Sequence, residues 1–257
     1  MIGPIDYISS SFFPESSKEY RLSIREHSGG FSFCVLDLKA DQVIGIKYIR
    51  GHNNVAQLGD EPFLNLDYKE VLYYSDGPFA LVDSALESPE LLKALLPIEP
   101  FRRHRIELKT CALTSDLNLI FDTHLFSHLV DHQRDRHPMQ PLINLILQET
   151  QLSCLVELLD ESIYVCVGSE QGLQLANVFS CATHEDTAYY LMLIYQKLGL
   201  DVTTVPLIFL GQLDAEFDPR PYLKPYIRVF KSLAMSPKWN LEFSSDLYPL
   251  FASLLLN

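Results

Sequence analysis

Three histidines at four-residue spacing come nearest to a chemical motif in this sequence. His124, His128 and His132 would share one face of a helix, and two of their imidazoles could bind one metal ion. The third histidine lies about 12 Å along the axis from the first, too far to share that ion. The sequence also has no HExxH pattern with its general-base glutamate. We therefore predict a helix surface here, with a metal-dependent hydrolase as the less favoured alternative.

A second group stands at the start of a predicted helix. Glu185 and Asp186 could transfer protons in a cleft, but at a helix start they more simply interact with the helix dipole. Tyr189, one turn later, could reach a partner surface. We predict that these three residues serve interaction rather than catalysis. The sequence has no GxSxG elbow, no Walker A loop and no GxGxxG after a strand, so no catalytic residue is predicted.

Composition limits the partners and the location. With 20 basic and 33 acidic residues the net charge is -13, which opposes non-specific binding to nucleic acid or anionic membranes. The best candidate for a basic patch, residues 102–105, is interpreted as a solvated edge. No apolar run approaches the roughly 18 residues of a membrane span, and residues 1–20 lack the pattern of a secretory signal. The five cysteines form no CxxC pair and are interpreted as reduced core residues. We therefore expect a cytoplasmic protein without a membrane span.

The elements that would position these groups fall into two similar halves. In the second half, three strands are predicted at 154–159, 162–168 and 173–179. A helix follows from about Glu185 to Leu198, with Thr183 as its N-cap, Asp186 as capping-box partner and Gly199 as its stop. A strand at 205–210, apolar on both faces, closes the unit.

The first half repeats this order less clearly. Strands are predicted at 20–26, 31–38, 43–49 and 69–74, with a helix candidate at 53–64. The further predicted elements are extended runs at 79–83, 105–112, 118–121 and 239–243, and helices at 89–96, 123–133, 138–149, 221–233 and 245–255. The charged cluster 134–137 interrupts two of these helices and is the candidate boundary. The predicted domains are an arm at 1–19 and two units at 20–136 and 137–257.

Three antiparallel strands, a crossover helix and a parallel strand are the order of a ribonuclease-H-like unit. Two such units in tandem form the actin-like architecture. The sequence therefore predicts an α/β (α+β) fold in which duplicated ribonuclease-H-like units form a two-domain actin-like ATPase fold.

Four segments carry a resemblance to a known family: Phe31 to Asp37, Asp76 to Val82, Thr183 to Tyr190 and Gln196 to Leu200. In combination they resemble the bacterial family, mainly from Bacteroidetes, called domain of unknown function 3822. The resemblance runs over nearly the whole chain from Tyr20. It implies similarity to actin-like proteins of the PilM and FtsA type, and a functional link to ribosomal RNA methylation through neighbouring genes. It identifies no catalytic residue.

An actin-like ATPase would hold nucleotide in the cleft between its halves, on hairpin turns that need glycine and a carboxylate. The first turn contains Ser28, Gly29 and Gly30 but lacks the aspartate, and the second contains Asp160 without glycine. The turn after the last strand keeps only Gly211. These five residues are the candidate ligand-binding positions.

We therefore predict a non-catalytic scaffold or adaptor that binds a protein partner and needs no cofactor. A divergent ATPase using ATP and Mg²⁺ is the alternative, ahead of the histidine-based hydrolase.

Overall fold

The computed structural model describes residues 5–27, 30–50, 62–86, 88–98, 107–123, 133–159, 161–211, 218–233, 236–243 and 251–256. The chain divides into two compact units, Ile2–Gln140 and Pro141–Asn257. The strands of the first unit are β1 (Ile5–Ile8), β2 (Tyr20–His27), β3 (Gly30–Asp37), β4 (Gln42–Arg50), β5 (Glu70–Tyr74), β6 (Phe79–Asp83), β7 (Leu108–Ala112), β8 (Leu117–Asp122) and β9 (Gln133–Arg136). The strands of the second are β10 (Ser153–Leu158), β11 (Ser162–Ser169), β12 (Gly172–Ser180), β13 (Leu207–Gly211) and β14 (Phe230–Ser232). The α-helices are α1 (Pro89–Leu95), α2 (Met139–Ile146), α3 (His184–Leu198) and α4 (Arg220–Leu223).

The main sheet of the first unit has the strand order β1-β4-β3-β2-β5-β9. Short hairpin connections make β2, β3 and β4 antiparallel, whereas the long connections before β5 and β9 allow parallel pairing. Ile24 pairs with Tyr73, and Tyr73 pairs with Asp135 on the next strand. One face of this sheet buries a core that includes Leu22, Ile24 and Phe33.

A small antiparallel sheet, β6-β8-β7, accompanies the main sheet. Helix α1 packs on it through Leu92, which is buried with Val82 and Ile120. Ser88 caps the helix by accepting a hydrogen bond from the backbone N–H of Leu91, and Pro89 occupies the first turn, where its missing amide costs little.

The sheet of the second unit has the order β12-β11-β10-β13-β14. It therefore repeats β4-β3-β2-β5-β9 strand for strand, with antiparallel pairs first and parallel pairs last. Helix α3 crosses this sheet and buries Leu191, Ile194 and Tyr195. The hydroxyl of Tyr195 donates to the carbonyl of Val205 at 3.1 Å, which ties the helix to the segment before β13.

Both ends of α3 are as the sequence predicts. Thr183 accepts from the N–H of Asp186, and the Asp186 carboxylate accepts from the N–H of Thr183, which completes the capping box. Gly199 ends the helix with φ 65°, a left-handed conformation that glycine adopts at little cost.

Three predicted elements are wrong. Residues 133–136, predicted as the end of a helix and a charged interruption, form β9, and His137 follows it as a buried residue. The rest of the helix predicted at 123–133, residues 124–132, lies outside the described residues. The helix predicted over 221–233 ends at Leu223, and residues 230–232 form β14. The strand predicted at 239–243 is a pair of turns around the buried Trp239.

The N-terminal segment joins the first unit. β1 pairs antiparallel with β4 and becomes the end strand of the main sheet. A 3-10 helix, Pro14–Glu19, leads into β2, and the Ser17 hydroxyl donates to the carbonyl of Asp67.

Cys34, Cys154, Cys166 and Cys181 are buried free thiols, and Cys111 is a partly buried one. Within the ranges described above, no helix is both long and apolar enough to cross a bilayer.

Candidate functional site

The carboxyl ends of the parallel strands are the natural place for a ligand in each unit, because open α/β sheets bind ligands at that edge. In the first unit this edge follows His27, Tyr74 and Arg136, the last residues of β2, β5 and β9. In the second unit it follows Leu158 and Gly211, the paired last residues of β10 and β13.

Glu26 is the carboxylate at the edge of the first unit. The Tyr73 hydroxyl donates to Glu26 Oε2 at 3.3 Å, and the backbone N–H of Asp76 also donates to this carboxylate. Burial raises the pKa of Glu26 to about 7, and the two hydrogen bonds only partly offset that effect. The side chain is thus bound within its own unit and carries only part of a charge at neutral pH.

Tyr73 stands among several carboxylates. Its side chain is fully buried, and burial together with the charges of Glu26, Asp135 and Asp76 raises its pKa. The buried Asp135 carboxylate pairs with Lys109 Nζ at 3.2 Å. The Tyr73 hydroxyl is therefore a hydrogen-bond donor in this arrangement and not a base.

His137 holds the turn that follows β5. Its Nε2 lies 3.0 Å from the carbonyl oxygen of Gly77, and its Nδ1 accepts from the N–H of Met139 at 3.1 Å. This pattern assigns the proton to Nε2. Burial lowers the pKa of His137 to about 3, so the ring is neutral. The rings of Phe79 and Phe121 pack on it, with centroids at 4.7 and 5.6 Å.

Glycine is required at position 77 because the backbone of β8 approaches this turn closely. A Cβ added to it would lie 2.3 Å from the carbonyl oxygen of Asp122 on β8. The turn is a rigid support for the Asp76 amide, since His137 and the end of β8 hold it from two sides.

The position in the second unit that is equivalent to Glu26 is apolar. His27 and Gly30 flank the hairpin turn of the first unit, as Leu159 and Ser162 flank that of the second. Glu26 therefore corresponds to Leu158, whose side chain is buried in the hydrophobic core. A hydrocarbon side chain cannot hold a metal-bound water or receive a proton.

Only two of the five predicted ligand residues, Gly30 and Gly211, are among the described residues. Ser28, Gly29 and Asp160 lie outside the described residues, as do His124, His128 and His132. Gly30 opens β3 with φ 151°, a value that glycine adopts and other residues rarely do. Gly211 ends β13 opposite Leu158, so it reaches the hairpin edge of the second unit. Among the residues that are described, no group of three His, Cys, Asp or Glu side chains could hold a metal ion.

The predicted interaction residues lie on the first two turns of α3. Asp186 is used by the capping box. Glu185 is exposed, and its carboxylate accepts from its own backbone N–H and from the Tyr222 hydroxyl. Tyr189 is 62% exposed.

Sequence reasoning missed Glu26, Tyr73, Asp76 and His137 as a connected group. A signal was available for the first two. If β2 and β5 pair in parallel with Ile24 opposite Tyr73, the next inward side chain of β2 is Glu26. His137 gave no such signal, because the segment before it was not recognised as a strand.

Comparison with solved structures identifies the fold. The chain is similar to a protein of Bacteroides thetaiotaomicron VPI-5482 described as having an actin-like ATPase fold and unknown function, with a TM-score of 0.74 and 20% identity over 96% of this chain and 100% of that one. It is also similar to a chain of the PilM-PilN type IV pilus biogenesis complex, with a TM-score of 0.59 and 12% identity over 92% of this chain and 97% of that one. These likenesses confirm the predicted actin-like fold of ribonuclease-H-like units.

Comparison with curated protein sequences gave no match. The family model described as "Protein of unknown function (DUF3822)" matches residues 9–230, which is most of the chain. The resemblance drawn from four sequence segments is therefore confirmed, and the chain belongs to the DUF3822 family, with an actin-like ATPase fold.

Proposed function

We propose that the protein is a non-catalytic actin-like scaffold or adaptor of the cytoplasm, which binds a protein partner and has lost nucleotide chemistry. The observation that carries the proposal is the side chain found just before the first hairpin turn of each unit. In the first unit, the Glu26 carboxylate is bound by Tyr73 and Asp76 and has a pKa of about 7. In the second, the residue that corresponds to Glu26 is Leu158, which is buried in the hydrophobic core.

The physical reason concerns magnesium. A carboxylate that holds Mg²⁺-bound water works as a full negative charge open to the metal. Glu26 is instead partly buried, is engaged by two donors and is partly protonated at neutral pH. Using it to hold a magnesium-bound water would require the ionisation of a poorly solvated group that two donors already engage.

The partner belongs to the proposal and has support from the fold comparison. One neighbour with the same fold was solved in a complex named for type IV pilus biogenesis. A link to ribosomal RNA methylation, implied by the family resemblance, stays a prediction.

Equilibrium binding of a fluorescent ATP analogue with Mg²⁺ tests the absence of nucleotide chemistry. We expect no saturable binding up to about 1 mM, which corresponds to less than about 4 kcal/mol of binding free energy. Micromolar affinity that is lost in Gly29→Val and Gly30→Val would overturn the proposal in favour of the divergent ATPase. Ala40→Val, on the exposed β3–β4 turn, is the matched control for added bulk in a hairpin.

Metal analysis of protein purified without a His tag tests the hydrolase alternative. We expect less than a stoichiometric amount of transition metal. A bound ion that disappears in His128→Ala would support the hydrolase instead.

A further inference from the structure

Aromatic side chains gather near the start of α3 in the second unit. We call this group the aromatic patch, and its members are Phe179, His184, Glu185, Tyr189, Tyr190 and Tyr222. They come from the end of β12, the first two turns of α3 and α4. Tyr189 and Tyr222 are 62% and 44% exposed, and each lies against another ring of this group.

The members form two contacting groups that meet on one face of α3. Phe179 stacks on Tyr190 with a centroid distance of 4.8 Å, and Tyr190 meets Tyr189 edge-on at 5.3 Å. Glu185 and Tyr189 are four residues apart and so share one helix face. The ring contacts therefore restrain Phe179, Tyr190 and Tyr189 before any partner arrives.

The contacts continue to α4. The Tyr222 hydroxyl donates to the Glu185 carboxylate, and the Tyr222 ring stacks on His184 at 6.1 Å. An ordered surface of this kind loses little side-chain entropy on binding, and tyrosine is the residue type that contributes most at protein interfaces, together with tryptophan and arginine.

The patch is acidic. Residues 182–196 include two carboxylates and no lysine or arginine. The pKa of Glu185 is lowered by the bond from its own backbone N–H and by the bond from Tyr222, so this carboxylate is ionised at neutral pH. On α4, Arg220 is already paired with Asp218 at 2.7 Å. Lys224 also lies near Asp218, so Asp218, Arg220 and Lys224 together carry one net positive charge, against the two negative charges of Glu185 and Asp186.

We propose that the aromatic patch is the docking surface for an arginine- or lysine-bearing segment of a protein partner. A guanidinium placed over the Tyr189 face gains a cation–π interaction, and the Glu185 carboxylate pairs with the same charge. The acidic chain attracts such a segment over longer distance. This inference rests on the proposed scaffold function and specifies the chemistry of its partner.

Other occupants fit less well. A nucleic acid would bring its phosphates to the ionised Glu185, in a chain of net charge -13. A second copy of the chain docked through the same patch would bring together two surfaces that each carry the ionised Glu185, which is unfavourable.

Fluorescence anisotropy with defined peptides tests the proposal. The probe is a labelled twelve-residue peptide of alternating arginine and serine, and the reference is the same peptide with citrulline in place of arginine. We expect the arginine peptide to bind and the citrulline peptide to bind at least about fivefold more weakly. Tyr189→Ala and Glu185→Gln should each weaken binding by about twofold to fivefold, and the double variant by about tenfold. Tyr189→Phe keeps the ring and should change affinity by less than about twofold.

Two variants control for unspecific effects. Glu170→Gln removes an exposed charge from the β11–β12 turn, and Tyr7→Ala removes an exposed tyrosine from the first unit. Equal weakening by Glu170→Gln and Glu185→Gln, or no preference for arginine over citrulline, would overturn the proposal. A dimer seen by light scattering that dissociates in Tyr189→Ala would overturn it in favour of self-association. Micromolar ATP binding would overturn the scaffold function itself, so the two failures are distinguishable.

Discussion

Replacement of Glu26 by glutamine should make the protein more stable at high pH and leave it unchanged at low pH. The wild-type side chain is partly buried and accepts from the Tyr73 hydroxyl and the Asp76 amide. Glutamine has nearly the same shape as a protonated glutamate, and its carbonyl oxygen can accept the bond from Tyr73. The variant therefore removes one property, the ability to become charged.

The magnitude follows from the pKa. Burial raises the pKa of Glu26 from 4.5 to about 7, and one pKa unit is worth about 1.4 kcal/mol, so the difference amounts to about 3 kcal/mol. The folded protein retains a proton between pH 4.5 and 7 that the unfolded chain has released. The stability contributed by this group is therefore full below pH 4.5 and is lost as pH rises through 7.

Urea unfolding of wild type and Glu26→Gln at half-unit steps from pH 4.5 to 8.5 measures this effect. We expect the difference in free energy of unfolding to be near zero at pH 4.5 and to rise to about 3 kcal/mol in favour of the variant above pH 7. Glu170→Gln, on an exposed turn, controls for the loss of one surface charge. A difference that stays constant across the range would refute the proposed burial of Glu26, and with it the main support for a lost magnesium site.

Three further predictions concern stability. His137→Phe should destabilise the protein at pH 7 by about 2–5 kcal/mol, because the Gly77 carbonyl and the Met139 amide lose their hydrogen-bond partner. This loss of stability relative to wild type should shrink as pH falls from 6.5 towards 3, because wild type then loses the stability of its neutral buried ring. Thermal unfolding at several pH values checks both statements. Gly77→Ala should destabilise by roughly 2 kcal/mol or more, measured by urea unfolding, since its Cβ would meet a backbone oxygen at 2.3 Å. Thr183→Ala should lower the free energy of unfolding by about 1 kcal/mol, whereas Thr183→Ser should be near neutral because it keeps the capping oxygen.

Most of the fold could be predicted because the hydrophobic periods are clear in the strands and in α3. The capping box at Thr183 and the stop at Gly199 depend on neighbouring residues, so the sequence contains the whole signal. Three strands, β1, β9 and β14, could not be predicted this way. β9 is rich in charge, yet Arg134 pairs with Glu70 at 3.0 Å and Asp135 pairs with Lys109, so long-range partners compensate a composition that disfavours strands.

The early end of α4 and the Glu26 group could not be predicted from the sequence for two different reasons. Pro225 has no N–H to donate, and the helical hydrogen bonds end near it, which leaves residues 230–232 to pair with β13. The Glu26 group depends on the parallel register of β2 and β5, which are joined by a long connection. A motif search compares residue types near each other in sequence, whereas this group brings Glu26 to Tyr73 across 47 positions.

The measurement that tests the central claim most directly is a calorimetric titration of wild-type protein with a non-hydrolysable ATP analogue and Mg²⁺. A scaffold with the actin-like fold and no nucleotide chemistry should give no binding isotherm up to about 1 mM ligand. A one-to-one isotherm with micromolar affinity, lost in Gly29→Val and retained in Ala40→Val, would contradict the claim.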